Sequence, residues 1–316
     1  MKYAYYPGCS LTSSAEEYDI STRRVLKLLG AEVEEIPDWT CCGAGSVESV
    51  SLLLSQALPA RNLALAERDL PGMEVLAPCS ACYLNLYRAR QEALSDRKQH
   101  ARVSEALDAE GLTFAAVAPV RHLLDVLAND IGPIKVHEAC TRDLGGLKVA
   151  PYYGCQALRP YPTFDDPNRP RSMEGLLRAV GAEPLEWDVG ARCCGASLMV
   201  THKEAALDAV GEILAAAKGA DAIATVCPMC QMNLEAYQKA ALGRVAGAEH
   251  ISVLYLPQIL GIGLGLSPKQ VMLDKNLALS SGVRARLEKP GMKPVEPSQE
   301  AAGKGEEEYQ PPLTGG

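Results

Sequence analysis

Phenylalanine and tryptophan are nearly missing from this chain, with two of each in 316 residues. A core made from it must be filled by Leu, Val, Ile and Ala, and a hydrophobic content of 47% allows that. Positive charge is also short. Lys and Arg number 31 against 39 Asp and Glu, giving a formal net charge of −8. That excludes the basic footprint of a nucleic-acid binder and disfavours attraction to an anionic membrane surface. The longest apolar stretch, residues 251–266, carries Pro257 and Gln258 and is too short to span a bilayer. The first ten residues lack the apolar segment of a secretory leader. The expected location is therefore cytoplasmic, with no direct membrane insertion. A dinucleotide fingerprint is missing too. Gly261-x-Gly-x-Gly265 has no following helix and acidic residue, reads as a turn, and leaves no expectation of flavin or NAD in this chain.

What the chain does have is cysteine, eleven in all. Structural disulfides are disfavoured in the cytosol, so these read as metal ligands or redox thiols. Ten of them form one pattern written twice. Cys9, the pair Cys41-Cys42 and Cys79-x-x-Cys82 make the first copy; Cys155, Cys193-Cys194 and Cys227-x-x-Cys230 make the second. The gaps are 31 and 36 residues in the first copy, 37 and 32 in the second. The neighbourhoods agree as well. Tyr5-Tyr6-Pro7-Gly8-Cys9 matches Tyr152-Tyr153-Gly154-Cys155, Gly30-Ala31-Glu32 matches Gly181-Ala182-Glu183, Cys41-Cys42-Gly43-Ala44 matches Cys193-Cys194-Gly195-Ala196, and Asn85-Leu86 matches Asn233-Leu234. Four stations in one order mark an internal duplication.

Each half alternates strand and helix signals. Strands are expected at 2–6, 33–36 and 73–77, and again at 148–153, 184–187 and 222–226. Helices are expected at 15–29, 47–70 and 81–91, and again at 172–180, 197–218 and 231–241. Residues 100–147 link the halves and carry a helix at 122–127. The fold class is α/β: two tandem, pseudo-symmetric, Rossmann-like halves with parallel sheets, and the cysteine sites at the C-terminal edges of the strands. Helix N-termini at that edge offer free N–H groups and lower thiol pKa. Gly43 and Gly195 would let the backbone pass close to a bound group. Asn85 and Asn233 read either as groups bonding near the site or as surface helix residues. The division expected is residues 1–147, residues 148–275, and an extended or disordered tail at 276–316.

Five thiols per half exceed the four that a tetrahedral zinc site takes and suffice for an iron–sulfur cluster. A thioredoxin-like CxxC would use only two of them. The run C-x2-C-x2-C-x3-C-P of ferredoxin cubanes is absent. The repeated Cys…Cys-Cys-Gly…Cys-x-x-Cys resembles the CCG cysteine-rich domain of the B-type subunit of heterodisulfide reductase. Phe164-Asp-Asp-Pro167 with Arg171-Ser-Met-Glu174, Cys227-Pro-Met-Cys-Gln-Met-Asn-Leu234 and Tyr255-Leu-Pro-Gln-Ile-Leu260 resemble stretches of the same subunit. The resemblance runs to about residue 275.

That resemblance implies two noncubane 4Fe-4S clusters, one held by Cys9, Cys41, Cys42, Cys79 and Cys82, the other by Cys155, Cys193, Cys194, Cys227 and Cys230. It implies that they flank a small disulfide substrate. Splitting a disulfide takes two electrons and a cluster passes one, so two facing centres resolve the mismatch. It also implies partners: a small ferredoxin-like subunit of the C type and, through it, a flavin-containing subunit of the A type. His122, His137, His202 and His250 are proton-donor candidates on chemistry alone, each more simply read as structural, and Cys140 as a buried structural thiol. Two other readings stand beside this one. The first is a CCG electron-relay subunit of a lactate-, glycolate- or succinate-type oxidoreductase. The second is a zinc-stabilised assembly scaffold without redox activity.

Overall fold

The computed structural model describes residues 1–45 and 47–289. β1 (Lys2–Tyr5), β2 (Glu32–Glu35), β3 (Glu74–Ala77) and β4 (Val120–His122) form one parallel sheet in the order β2-β1-β3-β4. β5 (Lys148–Tyr152), β6 (Glu183–Pro184), β7 (Ala222–Thr225) and β8 (Ser252–Tyr255) repeat that order as β6-β5-β7-β8. The α/β class and the two repeated halves read from the sequence are the architecture found. Parallel neighbours need long crossovers, and helices supply them. In Glu16–Leu28 the buried face is Tyr18, Thr22, Val25 and Leu26, acids fill the first turn, and Gly30 at φ 74° follows the end.

Both sheets change crossover direction between their two central strands, β1 and β3 or β5 and β7. In open α/β sheets ligands bind at that crevice, outside the carboxyl ends of the strands. Cys9 and Cys79 follow β1 and β3; Cys155 and Cys227 follow β5 and β7.

Several elements differ from the sequence expectation. Each sheet has a fourth strand, β4 and β8, that apolar spacing did not separate from the helix directly behind it. At 122–127 the chain ends a strand, turns once as Leu123–Asp125 and continues as a π-helix, Val126–Ile131. The helix expected at 47–70 is broken at Ser51, whose extended backbone (φ −155°) and hydroxyl, accepting from Leu54 N, cap the helix Leu52–Asp69. The one at 197–218 starts only at Lys203, after a 3-10 turn at Ala196–Leu198. Gly261 and Gly263 lie in the helix Leu256–Gly263 rather than in a turn; Cβ atoms there would meet Val271 Cγ1 at 2.8 Å and Val180 Cβ at 2.5 Å. Gly261 lets that helix, from the second half, seat against Val25 of the first. The expected tail, 276–316, contains a helix at its start. Ser280 caps a helix, Ser281–Glu288, that buries Val283 and Leu287; residues 290–316 lie outside the described residues.

Tyrosine, not only aliphatic residues, fills the core. Tyr5, Tyr6, Tyr18, Tyr152, Tyr153 and Tyr255 are among the largest fully buried side chains. One hydrophobic cluster runs through both halves, so the repeat units share a core.

Candidate metal centre

A strand that ends in Gly-Cys, and a helix that starts at Cys, aim their thiols at the same edge. Cys79 is the N-cap of Ser80–Ser95 and Cys227 that of Pro228–Ala236. The CC pairs arrive on the loops after β2 and β6. In the first half Cys41 Sγ lies 3.7 Å from Cys9 Sγ, and Cys42 Sγ 3.4 Å from Cys82 Sγ. In the second Cys194 Sγ lies 3.5 Å from Cys230 Sγ, and Cys155 and Cys193 share a thiol hydrogen bond. Each expected set of five is therefore gathered in space. Cys79 and Cys227 each shift the other's thiol pKa across the halves, Cys79 up and Cys227 down, so the two sets are neighbours. Among the described residues, no three His, Cys, Asp or Glu close around a single point as one metal ion requires.

Duplicated supports hold the thiols. Gly8 (φ 70°) and Gly154 (φ 69°) pass so near the CxxC sulfurs that a Cβ would meet Cys82 Sγ at 2.8 Å and Cys230 Sγ at 3.0 Å. The backbone at Gly43 and Gly195 also comes close to sulfur, through its N–H groups. Gly43 and Gly195 take left-handed turns whose Cβ space faces Leu58 and Val47, or Ala206, and their N–H groups donate to Cys41 Sγ (3.5 Å) and Cys193 Sγ (3.4 Å). Asn85 and Asn233 are not mere surface residues: Nδ2 donates to Cys42 O at 3.0 Å and to Cys194 O at 2.6 Å. Sequence reasoning missed a further pair. Tyr6 Oη donates to Thr40 O (2.7 Å) and Tyr152 Oη to Arg192 O (2.6 Å), the carbonyls just before each CC pair. Their common spacing of 146 residues, the same as from Cys9 to Cys155, was the signal.

Electrostatics favour thiolate in part of each set. Cys42, Cys193 and Cys227 are each held down by hydrogen bonds from neighbouring thiols, Cys193 to about 6 by Cys155. The thiolate is the metal-binding form. Thiols in groups of five, backed by helix N-termini and spread wider than one ion needs, fit the soft-ligand demands of an iron–sulfur group once deprotonated.

A cleft of ≈ 200 Å³ opens beside the sites. All five thiols of the second set line it, facing Gly43, Ala44, Ser80, Asn85 and Arg88 of the first half. Histidine is not among its lining residues. His122 is buried and neutral, pushed down to about 4 chiefly by desolvation. Its Nδ1 accepts from Leu124 N (3.1 Å), and its Nε2 stands 3.2 Å from Ser80 Oγ. His137 bonds Ala179 O and His202 bonds Thr201, both away from the thiols, and His250 is exposed. Cys140 is buried with its thiol donating to Arg142 O and Gly263 O, a structural thiol as expected.

These features define a duplicated cysteine-rich protein with two neighbouring five-thiol sets on an α/β frame. The Cysteine-rich domain family, CCG, matches at residues 3–87 and again at 149–235. The chain belongs to the family of heterodisulfide reductase B-type subunits, whose mark is that doubled domain. It is 34% identical to the 8-methylmenaquinol:fumarate reductase membrane anchor subunit of Wolinella succinogenes, over 87% of this chain and 96% of that one. It is 30% identical to a protein of Archaeoglobus profundus described as like the B-type subunit of heterodisulfide reductase, over 86% of this chain and 93% of that one. To the B-type subunit of the ferredoxin/F(420)H(2)-dependent CoB-CoM heterodisulfide reductase of Methanosarcina acetivorans it is 29% identical, over 87% and 93%. Among solved structures, a hypothetical protein from Helicobacter pylori shares the fold, with a TM-score of 0.69 at 15% identity; the match covers 89% of this chain and 52% of that chain. The relatives make this an iron–sulfur electron-transfer subunit of an oxidoreductase complex. Among the described residues no helix is long and apolar enough to cross a membrane.

Proposed function

We propose that this chain is the catalytic iron–sulfur subunit of a heterodisulfide reductase-like complex in the cytoplasm, reducing a small disulfide to two thiols. The observation that carries this is the meeting of two five-thiol sets at Cys79 and Cys227, next to a cleft that both halves line. Two noncubane 4Fe-4S clusters, one on each set, would supply one-electron transfers. The protein's own part is placement. Gly8, Gly154 and the Asn and Tyr donors fix the thiols, while Asn85, Arg88 and Ser80 give the cleft a polar wall for the substrate. Electrons would arrive from a ferredoxin-like subunit of the C type, fed by a flavin-bearing subunit of the A type.

One observation favours a second reading, the relay of electrons between a quinol and a partner enzyme: the 34% identity to a fumarate reductase anchor subunit. Anaerobic purification separates the outcomes. Brown protein absorbing near 400 nm, with about eight iron per chain and an EPR signal that changes when a thiol is added to oxidised protein, is the expected result. Iron with no thiol-dependent signal, but oxidation by a menaquinone analogue, turns the assignment to the relay. Colourless protein with about one or two zinc ions makes it a scaffold.

A further inference from the structure

Two buried carbonyls near the centre of the molecule have no place in the sheets. β3 ends at Ala77 and β7 at Thr225, and each chain then turns into a helix that starts at a cysteine. The peptides in between, Pro78 and Val226, point their oxygens into the shared core, where an unpaired carbonyl is costly. One side chain answers both. Tyr18 Oη lies 3.0 Å from Pro78 O and 3.1 Å from Val226 O, so it is bonded to the residue before Cys79 in one half and before Cys227 in the other.

The ring of Tyr18 is fixed independently of its hydroxyl. It stacks on Tyr255 of the second half, with centroids 4.2 Å apart and planes 2° from parallel. The repeat has a mirror of this contact. Phe164, 146 residues after Tyr18, lies parallel to His122 of the first half at 5.9 Å and 2°. Tyr255 and His122 each end the fourth strand of a sheet. Each half thus sends one ring across to the strand end of the other. Only Tyr18 carries a hydroxyl there. On the Phe164 side the donor is Ser80, whose Oγ reaches Val226 O at 3.2 Å and whose other neighbour is His122 Nε2.

We propose that Tyr18 is a positioning residue for both thiol sets: its one hydroxyl, shared between Pro78 O and Val226 O, sets how closely Cys79 and Cys227 approach. Ser80 assists on the Val226 side. The consequence for exchange between two metal groups rests on the function proposed above; the spacing of the thiols does not.

The test uses the anaerobically purified full chain and Tyr18→Phe, which keeps the stacked ring. EPR of the reduced protein reads the spin–spin interaction between the two sites. Mass spectrometry after brief diamide treatment of the same full chain stripped of iron by a chelator, which frees the thiols, reads the rate of Cys79–Cys227 disulfide formation. Tyr18→Phe is expected to keep its iron, to lose most of the interaction broadening, and to form the disulfide roughly fivefold more slowly, the factor equivalent to one lost hydrogen bond. Ser80→Ala shifts both readouts the same way by less, and Tyr255→Phe shifts neither. Wild-type behaviour of Tyr18→Phe in both readouts overturns the proposal, as does an equal change in Tyr255→Phe. Should Tyr18→Phe not fold, Ser80→Ala decides: unchanged broadening and disulfide rate overturn the proposal. A wild-type chain without iron sinks the proposed function and leaves the disulfide rate to judge Tyr18 alone.

Discussion

The two halves carry the same thiol frame on unequal scaffolds, and the inequality falls outside the frame. From Cys9 to the first CC pair the chain forms the helix Glu16–Leu28, 13 residues long; from Cys155 to the second it makes a loop tied by the Asp165 carboxylate to the N–H groups of Arg171 and Ser172, then the eight-residue helix Ser172–Ala179. From the CC pair to the CxxC the order is reversed: Leu52–Asp69 has 18 residues and Lys203–Ala216 has 14, a difference of about one helical turn. The gaps that differ in the sequence are thus absorbed by covering helices and a loop. What stays constant is what holds the thiols in place: a left-handed Gly before the first cysteine, a Tyr donor to the carbonyl before the CC pair, and an Asn donor to the carbonyl of its second residue. Constant chemistry on variable cover indicates that the duplication preserved the thiol geometry together with the strand order, and not the length of the covering helices.

The largest effect on this comparison should come from the glycines. Alanine at Gly8 or Gly154 must take a left-handed backbone, costing about 1–2 kcal/mol, and also place a Cβ 2.8 or 3.0 Å from a ligand sulfur. Gly8→Ala and Gly154→Ala are each expected to lower iron from about eight to about four per chain, and the double variant to near none. Gly45→Ala separates strain from contact, because Gly45 is also left-handed (φ 104°) but has nothing within 4 Å of its Cβ position; it should keep its iron. Equal iron in all three variants would mean that the contact with sulfur does not govern loading in either half.

A smaller effect distinguishes the halves by pH. Glu235, at the place in the second half that Tyr87 holds in the first, is buried, and desolvation raises its carboxyl to about 7 from an ordinary 4.5. The folded chain therefore holds this proton more tightly than the unfolded chain. Stability is full below 4.5, falls as pH rises towards 7 and levels off above it, by about 3 kcal/mol at most. Urea midpoints measured from pH 4.5 to 8 should show that fall, and Glu235→Gln should flatten it. An unchanged slope in Glu235→Gln would place the titrating group elsewhere.

The frame was legible because it depends on residue type at a fixed separation. Ten cysteines and two asparagines recur in order, and the strand-to-Gly-Cys turns follow from local pattern. The fourth strands were hidden because β4 and β8 pass into helices without a turn residue, so apolar runs such as residues 251–266 carry no period to divide them. Gly8 and Gly154 were passed over for Gly43 and Gly195, since a glycine directly after a cysteine pair is conspicuous while the thiol that excludes a Cβ at Gly8 is Cys82, far along the chain. Tyr18 could not be assigned by pattern either, because its partners, Pro78 and Val226, come together only when the halves dock.

The smallest expected difference is at the paired tyrosines. Tyr6 and Tyr152 are both fully buried, each rests edge-on against a Trp (Trp39 at 5.5 Å, Trp187 at 6.2 Å), and each hydroxyl satisfies one carbonyl ahead of a CC pair. Phenylalanine keeps the ring and its contacts but leaves that carbonyl without its tyrosine donor, a loss of about 1 kcal/mol. The carbonyl of Thr40 has a second side-chain donor, since Asn62 Nδ2 also reaches it at 3.0 Å. On the other side Tyr152 donates to Arg192 O with no equivalent of Asn62 among the described residues. Tyr152→Phe should therefore lower the denaturant midpoint more than Tyr6→Phe does, with iron content nearly unchanged in both. A larger loss in Tyr6→Phe would show that the surrounding packing, not the hydroxyl, distinguishes the two sites.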